Sequence, residues 1–141
     1  MNRIDLVLAG LAAGGSSLHT PVQIQKLFFL IDRNIGEAVG GPHFNFEPYS
    51  YGPFDKSIYS DLRALTQEGL VEPVPDRNWI SYRLTERGQE RAGDLLGRLP
   101  EPASDYIRRA SHFVRTLSFQ KLVAAIYQAY PEMRSNSVFQ G

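Results

Sequence analysis

The sequence predicts a mainly α-helical domain with one small antiparallel β-hairpin and additional helices toward its C-terminal end. Three observations predict it. Apolar residues recur at helical spacing through most of the chain. Helix-start signals stand ahead of several of those stretches, Thr20-Pro21-Val22-Gln23 above all. Leu70 to Val74 and Trp79 to Leu84 are short runs rich in β-branched and aromatic residues, separated by the turn-forming cluster Pro75-Asp76-Arg77-Asn78.

The first helix is read over residues 2–13, with Ile4, Val7, Leu8 and Leu11 on its buried side. Asp5 inside this short apolar run makes it an amphipathic helix and not a leader segment. Gly14, Gly15, Ser16 and Ser17 break it. Thr20 and Gln23 form a capping box with Pro21 at the first position of the second helix, which continues through Ile24, Leu27, Phe28, Ile31 and Ile35 to Gly36. The connection from Gly36 to Pro48 is Gly-rich, and Phe44 and Phe46 alternate as in an edge strand or a flap over the core.

Gly52-Pro53 then reads as the start of the third helix. Pro at the first helical position has its φ already set, Gly52 can take the cap conformation, and Phe54, Ile58, Leu62 and Leu65 make one apolar stripe ending at Gly69. The hairpin follows. Thr85 caps a fourth helix, with Glu86 at its start and Ala92, Leu95, Leu96 and Leu99 on its apolar side. Pro100 and Pro102 bracket the next break. Two more helices are expected over roughly 103–117 and 119–130, with Ser118 as cap and Pro131 as stop. Tyr106, Ala110, Phe113 and Leu117 define the apolar side of the first, and Leu122, Ala125, Ile126 and Ala129 that of the second. The tail SNSVFQG is expected to be loose. A helix running straight into a hairpin, after an earlier helix that packs across it, is the layout of a winged helix-turn-helix. The expected organisation is one domain over residues 1–141, with a winged-helix core at about 1–98. A C-terminal helical pair at about 101–131 completes that core or mediates a homodimer with two-fold symmetry.

Composition bounds the function. At 141 residues, 43% hydrophobic and 21% charged, the chain fits one ordinary globular domain. Fifteen basic residues balance fifteen acidic ones, whereas a protein that binds nucleic acid by neutralising phosphates carries a basic surplus, at least locally. There is no cysteine, hence no disulfide, thiolate metal site or cysteine nucleophile, and a reducing cytoplasm is the simplest fit. No stretch approaches the roughly 20 apolar residues that span a bilayer. His19, His43 and His112 lie in separate segments without metal-ligand spacing, His19 being placed to make a local hydrogen bond beside the Thr20 cap. No G-x-S-x-G elbow, phosphate-binding glycine loop or paired carboxylates occurs. No catalytic residue, metal or cofactor is therefore expected.

Two resemblances meet in the chain. LRALTQEGLVEPV followed by WISYRLTERGQERAGDLL, over about residues 54–91, resembles the helix, wing and following helix of MarR- and PadR-type regulators. VQIQKLFFLID and FEPYSYGPFDKSIYSDL, over about residues 20–70, resemble the Panacea domain of phage-associated proteins and SocA-type antitoxins. The matching positions are Lys26, Leu27 and Phe28 in the helix, Tyr51, Gly52 and Pro53 at the turn, and Tyr59 after it. This second resemblance implies a small non-enzymatic protein that neutralises a protein partner, a toxin for example. After Leu70 the chain departs from that pattern toward a DNA-binding winged helix.

The candidate site residues divide accordingly. Tyr49, Tyr51, Pro53, Tyr59 and Trp79 gather aromatic and rigid residues that suit a protein interface or, equally, a core, with Tyr51 and Tyr59 leaning to structure and Tyr49 to exposure. For DNA, Lys56, Ser60, Arg63 and Gln67 form one polar stripe that could enter the major groove, Lys56 on a phosphate and Arg63 and Gln67 on base edges. Asp55, Asp61 and Glu68 leave that helix one unit negative, which favours a solvated face. Arg77 at the wing tip could reach the minor groove, and Arg108, His112 and Arg115 form the most basic helical stripe.

Overall fold

The computed structural model describes residues 1–140 and is mainly helical, with two separate two-stranded antiparallel hairpins. In chain order the elements are α1 (Arg3–Leu11), α2 (Pro21–Ile35), β1 (Glu47–Tyr49), β2 (Gly52–Phe54), α3 (Ser57–Gln67), β3 (Val71–Asp76), β4 (Trp79–Leu84), α4 (Glu86–Gly97), α5 (Glu101–Thr116) and α6 (Phe119–Ala129). Short 3-10 turns occupy Ala12–Gly14, Glu37–Val39 and Pro131–Arg134.

Local signals set most helix starts. Asn2 caps α1 by accepting from the Asp5 amide, and Thr20 and Gln23 cap α2 reciprocally, at 3.2 and 2.9 Å. Thr85 and Ser118 accept from Gly88 and Lys121 to cap α4 and α6. The core is built from Leu6, Val7, Leu8 and Leu11 of α1, Ile24, Leu27, Phe28 and Ile31 of α2, and Ile58, Leu62 and Leu65 of α3, all at 1% exposure or less. α1 packs against α3 and α4, and α2 against α5 and β2. α5 and α6 close the same core through Ile107, Val114, Leu122, Val123 and Ile126.

Several expectations are corrected. Gly52-Pro53 does not open a helix: it is β2, paired with β1 so that Tyr49 faces Gly52 and Pro48 faces Pro53, with Ser50-Tyr51 as the turn. Pro, which has no N–H to give a ladder, is tolerated in so short a two-stranded edge. The third helix starts at Ser57, where the Asp55 carboxylate accepts from the Ser57 amide at 2.9 Å, so Phe54 lies outside its stripe. Phe44 and Phe46 are not a strand; their rings fold over Phe28 and Phe29 as a flap. Pro75 and Asp76 belong to β3, and the turn between the strands is only Arg77-Asn78, Arg77 having φ 58°. Ile4 is exposed in the first turn of α1, whereas from Leu6 to Leu11 the helix is buried all round. On α5 the buried stripe is Ala103, Ile107, Ala110 and Val114, leaving Phe113 outside, and on α6 Val123 and Tyr127 are buried where Ala129 is exposed. α5 also begins earlier than expected, with Pro102 inside its first turn. The tail is tied down: the Val138 amide and Ser137 hydroxyl donate to Ser50 O, Asn136 donates to Pro48 O, and Phe139 packs on Tyr127 and Phe119.

Candidate docking site

The β1–β2 hairpin places the site. It folds back over α2 and is held there by Gln25, whose buried amide both accepts from the Asp55 N–H (2.8 Å) and donates to the Asp55 carbonyl (3.1 Å). Tyr49 stacks on Phe54 with ring centroids 4.7 Å apart, and Phe54 leans on Tyr59, which leans on Tyr82 of β4. This aromatic row joins the β1–β2 hairpin, α3 and β4.

Beside it runs an apolar trough of about 450 Å³ lined by Thr20, Pro21, Val22, Tyr51, Trp79 and Phe119. Tyr51 is 42% exposed, Trp79 38% and Phe119 43%. Tyr51 meets Phe119 edge to face at 5.1 Å. Trp79 is held in place by its Nε1–H donating to Ser81 Oγ, which donates in turn to Asp76, while the Arg77 guanidinium lies 5.8 Å from its ring. Tyr49 and Ile80 are exposed close by in sequence to Tyr51 and Trp79. Of the protein-partner candidates, Tyr49, Tyr51 and Trp79 are thus on the surface, Tyr59 is half-buried and Pro53 is buried; Tyr51 corrects the expectation that it is structural. Val22 and Phe119 complete the trough and were missed, because Phe119 is distant in sequence and comes to Tyr51 only through the packing of α6 on β2.

Next to the trough, and sharing Pro21, Val22 and Tyr51 with it, is a narrower slot of about 210 Å³. Tyr49, Pro53, Phe54 and Tyr59 line its sides, with Lys26 among its lining residues. Of the seven positions named for the second sequence resemblance, Lys26, Tyr51, Gly52, Pro53 and Tyr59 line this slot, while Leu27 and Phe28 are in the core. Lys26 is 2% exposed, and burial lowers its ammonium from 10.5 to about 8. A larger depression, about 790 Å³ beside the end of α2, has two of its charged residues engaged: Asp32 accepts from the His43 and Phe44 amides and Arg33 pairs with Glu132.

The DNA-contact candidates are arranged as follows. Ser60, Arg63 and Gln67 are exposed on α3, and Lys56 is exposed just ahead of it. Of the three carboxylates counted against them Glu68 is exposed too, but the other two are engaged: Asp61 is 3% exposed and pairs with Arg3 of α1 at 2.9 Å. Asp55 is engaged by Ser57 and Asn45; burial pushes its carboxyl up, but these donors and Arg3 bring it below its ordinary value. Arg77 is exposed at the β3–β4 turn. The α5 stripe is broken, because Arg115 bends inward to Ser111 and the Ala13 carbonyl while Arg108 and His112 stay exposed.

His19 is buried as well. Its backbone bridges to Tyr82 in both directions (2.7 and 2.9 Å), but neither ring nitrogen has a partner at bonding geometry, which corrects the expected side-chain hydrogen bond. Burial, then the Arg115 charge, lowers the imidazole to about 4, tempered by the Ser17 and Tyr82 backbone. Among the described residues no three His, Asp or Glu side chains gather to hold a metal, and no helix is long and apolar enough to cross a membrane. No family model, curated protein or solved structure matches the chain.

Proposed function

We propose that the chain is a non-enzymatic binding module that docks a polypeptide partner in the trough between Tyr51, Trp79 and Phe119. The observation that carries this reading is the exposure, around one concavity, of three aromatic side chains held by rigid neighbours. Aromatic groups with few rotatable bonds lose little entropy on burial and are the commonest interface anchors. A contiguous apolar concavity on a chain without net charge suits a protein better than a polyanion. The convergence of the Panacea-like positions on the adjoining slot supports the same reading, in which the partner is a toxin-like protein in the cytoplasm. The test is a photo-crosslinking residue placed at Tyr51, with another at Arg91 on α4, in the native host. An adduct formed at Tyr51, absent at Arg91 and abolished by Trp79→Asp supports docking. Adducts indifferent to position and to Trp79→Asp refute it.

One observation favours a second reading, a dimeric DNA-binding regulator of winged-helix type. With Asp61 drawn to Arg3, the exposed α3 stripe carries Lys56 and Arg63, opposed at its end by Glu68 alone. The His19–Tyr82 bridge also adds a third extended piece beside β4, in the order α1, bridge, α2, α3, β3, β4. If this reading holds, a DNA complex forms whose affinity falls steeply with salt, and Arg63→Ala weakens it. Absence of a shift at low salt removes it.

A further inference from the structure

The slot beside the trough contains an unanswered charge. Along α2, Ile24, Leu27, Phe28 and Ile31 are sealed in the core, while Val22, Gln25 and Lys26 share the side that β2 covers. Lys26 does not reach past the hairpin to solvent as a long cationic side chain ordinarily does. It stays 2% exposed, and among the described residues no carboxylate or other acceptor pairs with it. Its Nζ lies under Gly52, where a Cβ would stand 3.5 Å from it, and that glycine is held at φ 106°.

An ammonium taken out of water without a counter-charge costs several kcal/mol in principle, and a fold that retains one in a slot leaves room for the missing partner to come from outside. The chemistry narrows that partner. A phosphate dianion is met by several donors together, Arg forks or a helix N-terminus, whereas here a single ammonium stands among tyrosine, phenylalanine and proline. One cation between apolar walls matches one carboxylate on a short aliphatic stem. Shared walls at Pro21, Val22 and Tyr51 make slot and trough neighbouring parts of one surface, within reach of adjacent side chains of a single segment.

We propose that Lys26 is the charge-reading point of the docking surface: it receives the carboxylate of an Asp or Glu side chain of the docked polypeptide, while an apolar residue of the same segment lies in the trough. This rests on the docking reading above, and deepens it by naming the partner as acidic and apolar in alternation.

A displayed library of random dodecapeptides, selected in parallel on the wild-type chain and on Lys26→Met, tests it. Methionine keeps the length and apolar stem of the side chain, so the variant folds. Peptides enriched on the wild type should carry Asp or Glu a few positions from an aromatic or aliphatic residue. Changing that acid to its amide should weaken binding about ten- to a hundredfold on the wild type and leave it unchanged on Lys26→Met, as expected for a charge-assisted hydrogen bond. Peptides lost on Trp79→Asp yet equally tolerant of acid and amide on both proteins overturn the role of Lys26 and leave docking standing. Enrichment of no peptide, or of peptides indifferent to Trp79→Asp, overturns docking and this inference with it.

Discussion

Gln25 grips both main-chain polar groups of Asp55, accepting from its N–H at 2.8 Å and donating to its C=O at 3.1 Å. One buried side chain of α2 thereby imitates a strand partner for the residue whose carboxylate receives the Ser57 amide at the start of α3. This tie between α2 and the start of α3 acts beside the burial of Ile58, Leu62 and Leu65 and the Arg3–Asp61 pair, which hold α3 to the core and to α1.

Gln25→Ala should therefore cost about 2–4 kcal/mol, two hydrogen bonds and the packing of a buried side chain being lost together. Urea unfolding checks the loss. Amide exchange should show deprotection concentrated at Asp55 and the first turn of α3.

Lys26→Met should stabilise the chain at pH 7 by about 1–3 kcal/mol, because the buried ammonium is removed while its stem is kept. The pH dependence follows from the lowered value. The unfolded lysine titrates at 10.5 and the folded one at about 8, so between these the unfolded chain holds more protons and wild-type stability rises with pH. The gain from pH 7 to about 9.5 is about 2 kcal/mol at 1.36 kcal/mol per unit. Above that range Tyr59 and Tyr82, whose hydroxyls burial pushes up, begin to work in the opposite direction. Denaturation at stepped pH should show the rise in wild type and not in Lys26→Met.

His19 predicts an acid limb of the same origin, since burial again lowers a basic group. Its folded value of about 4 lies below the ordinary 6.5, so the neutral imidazole stabilises above pH 6.5 and that contribution is lost as pH falls toward 4. The loss from pH 7 to about 4.5 is about 2–3 kcal/mol. His19→Leu, which removes the titrating ring, should flatten thermal stability across this window.

Two glycines on α4 should respond in opposite senses. A Cβ on Gly88 would stand within bonding range of the Leu70 carbonyl oxygen, part of a backbone that cannot yield, so Gly88→Ala should cost about 3 kcal/mol despite its better helix propensity. Gly93 has open space in the same helix, and Gly93→Ala should stabilise by about 0.5–1 kcal/mol. Paired melting curves suffice.

What was legible in the sequence was local. The Thr20–Gln23 box, the Thr85 and Ser118 caps and the β3–β4 run each depend on residues a few positions apart; the caps formed as read, and the hairpin formed with its turn shortened to Arg77-Asn78. Gly52-Pro53 was misread because its local signal, proline ahead of a helix, competes with pairing to Glu47–Tyr49 that no single stretch declares. Arg3 and Asp61, which change the charge of the α3 face, are 58 positions apart. The burial of Lys26 was invisible for the same reason: on a helical wheel it sits nearly opposite the Ile24, Leu27, Phe28 and Ile31 stripe, where a lysine is ordinarily solvated, and only the returning hairpin covers it. Trp79 and Phe119 meet on one trough through packing alone.

The grip of Gln25 on Asp55 is made to main-chain groups alone, so it makes no demand on the side chain at position 55. That side chain is left free to serve the next element, receiving Ser57 and Asn45, and one residue fastens the hairpin to α2 and opens α3 at once. Change at the exposed tip, Tyr49 and Tyr51, would leave this fastening in place.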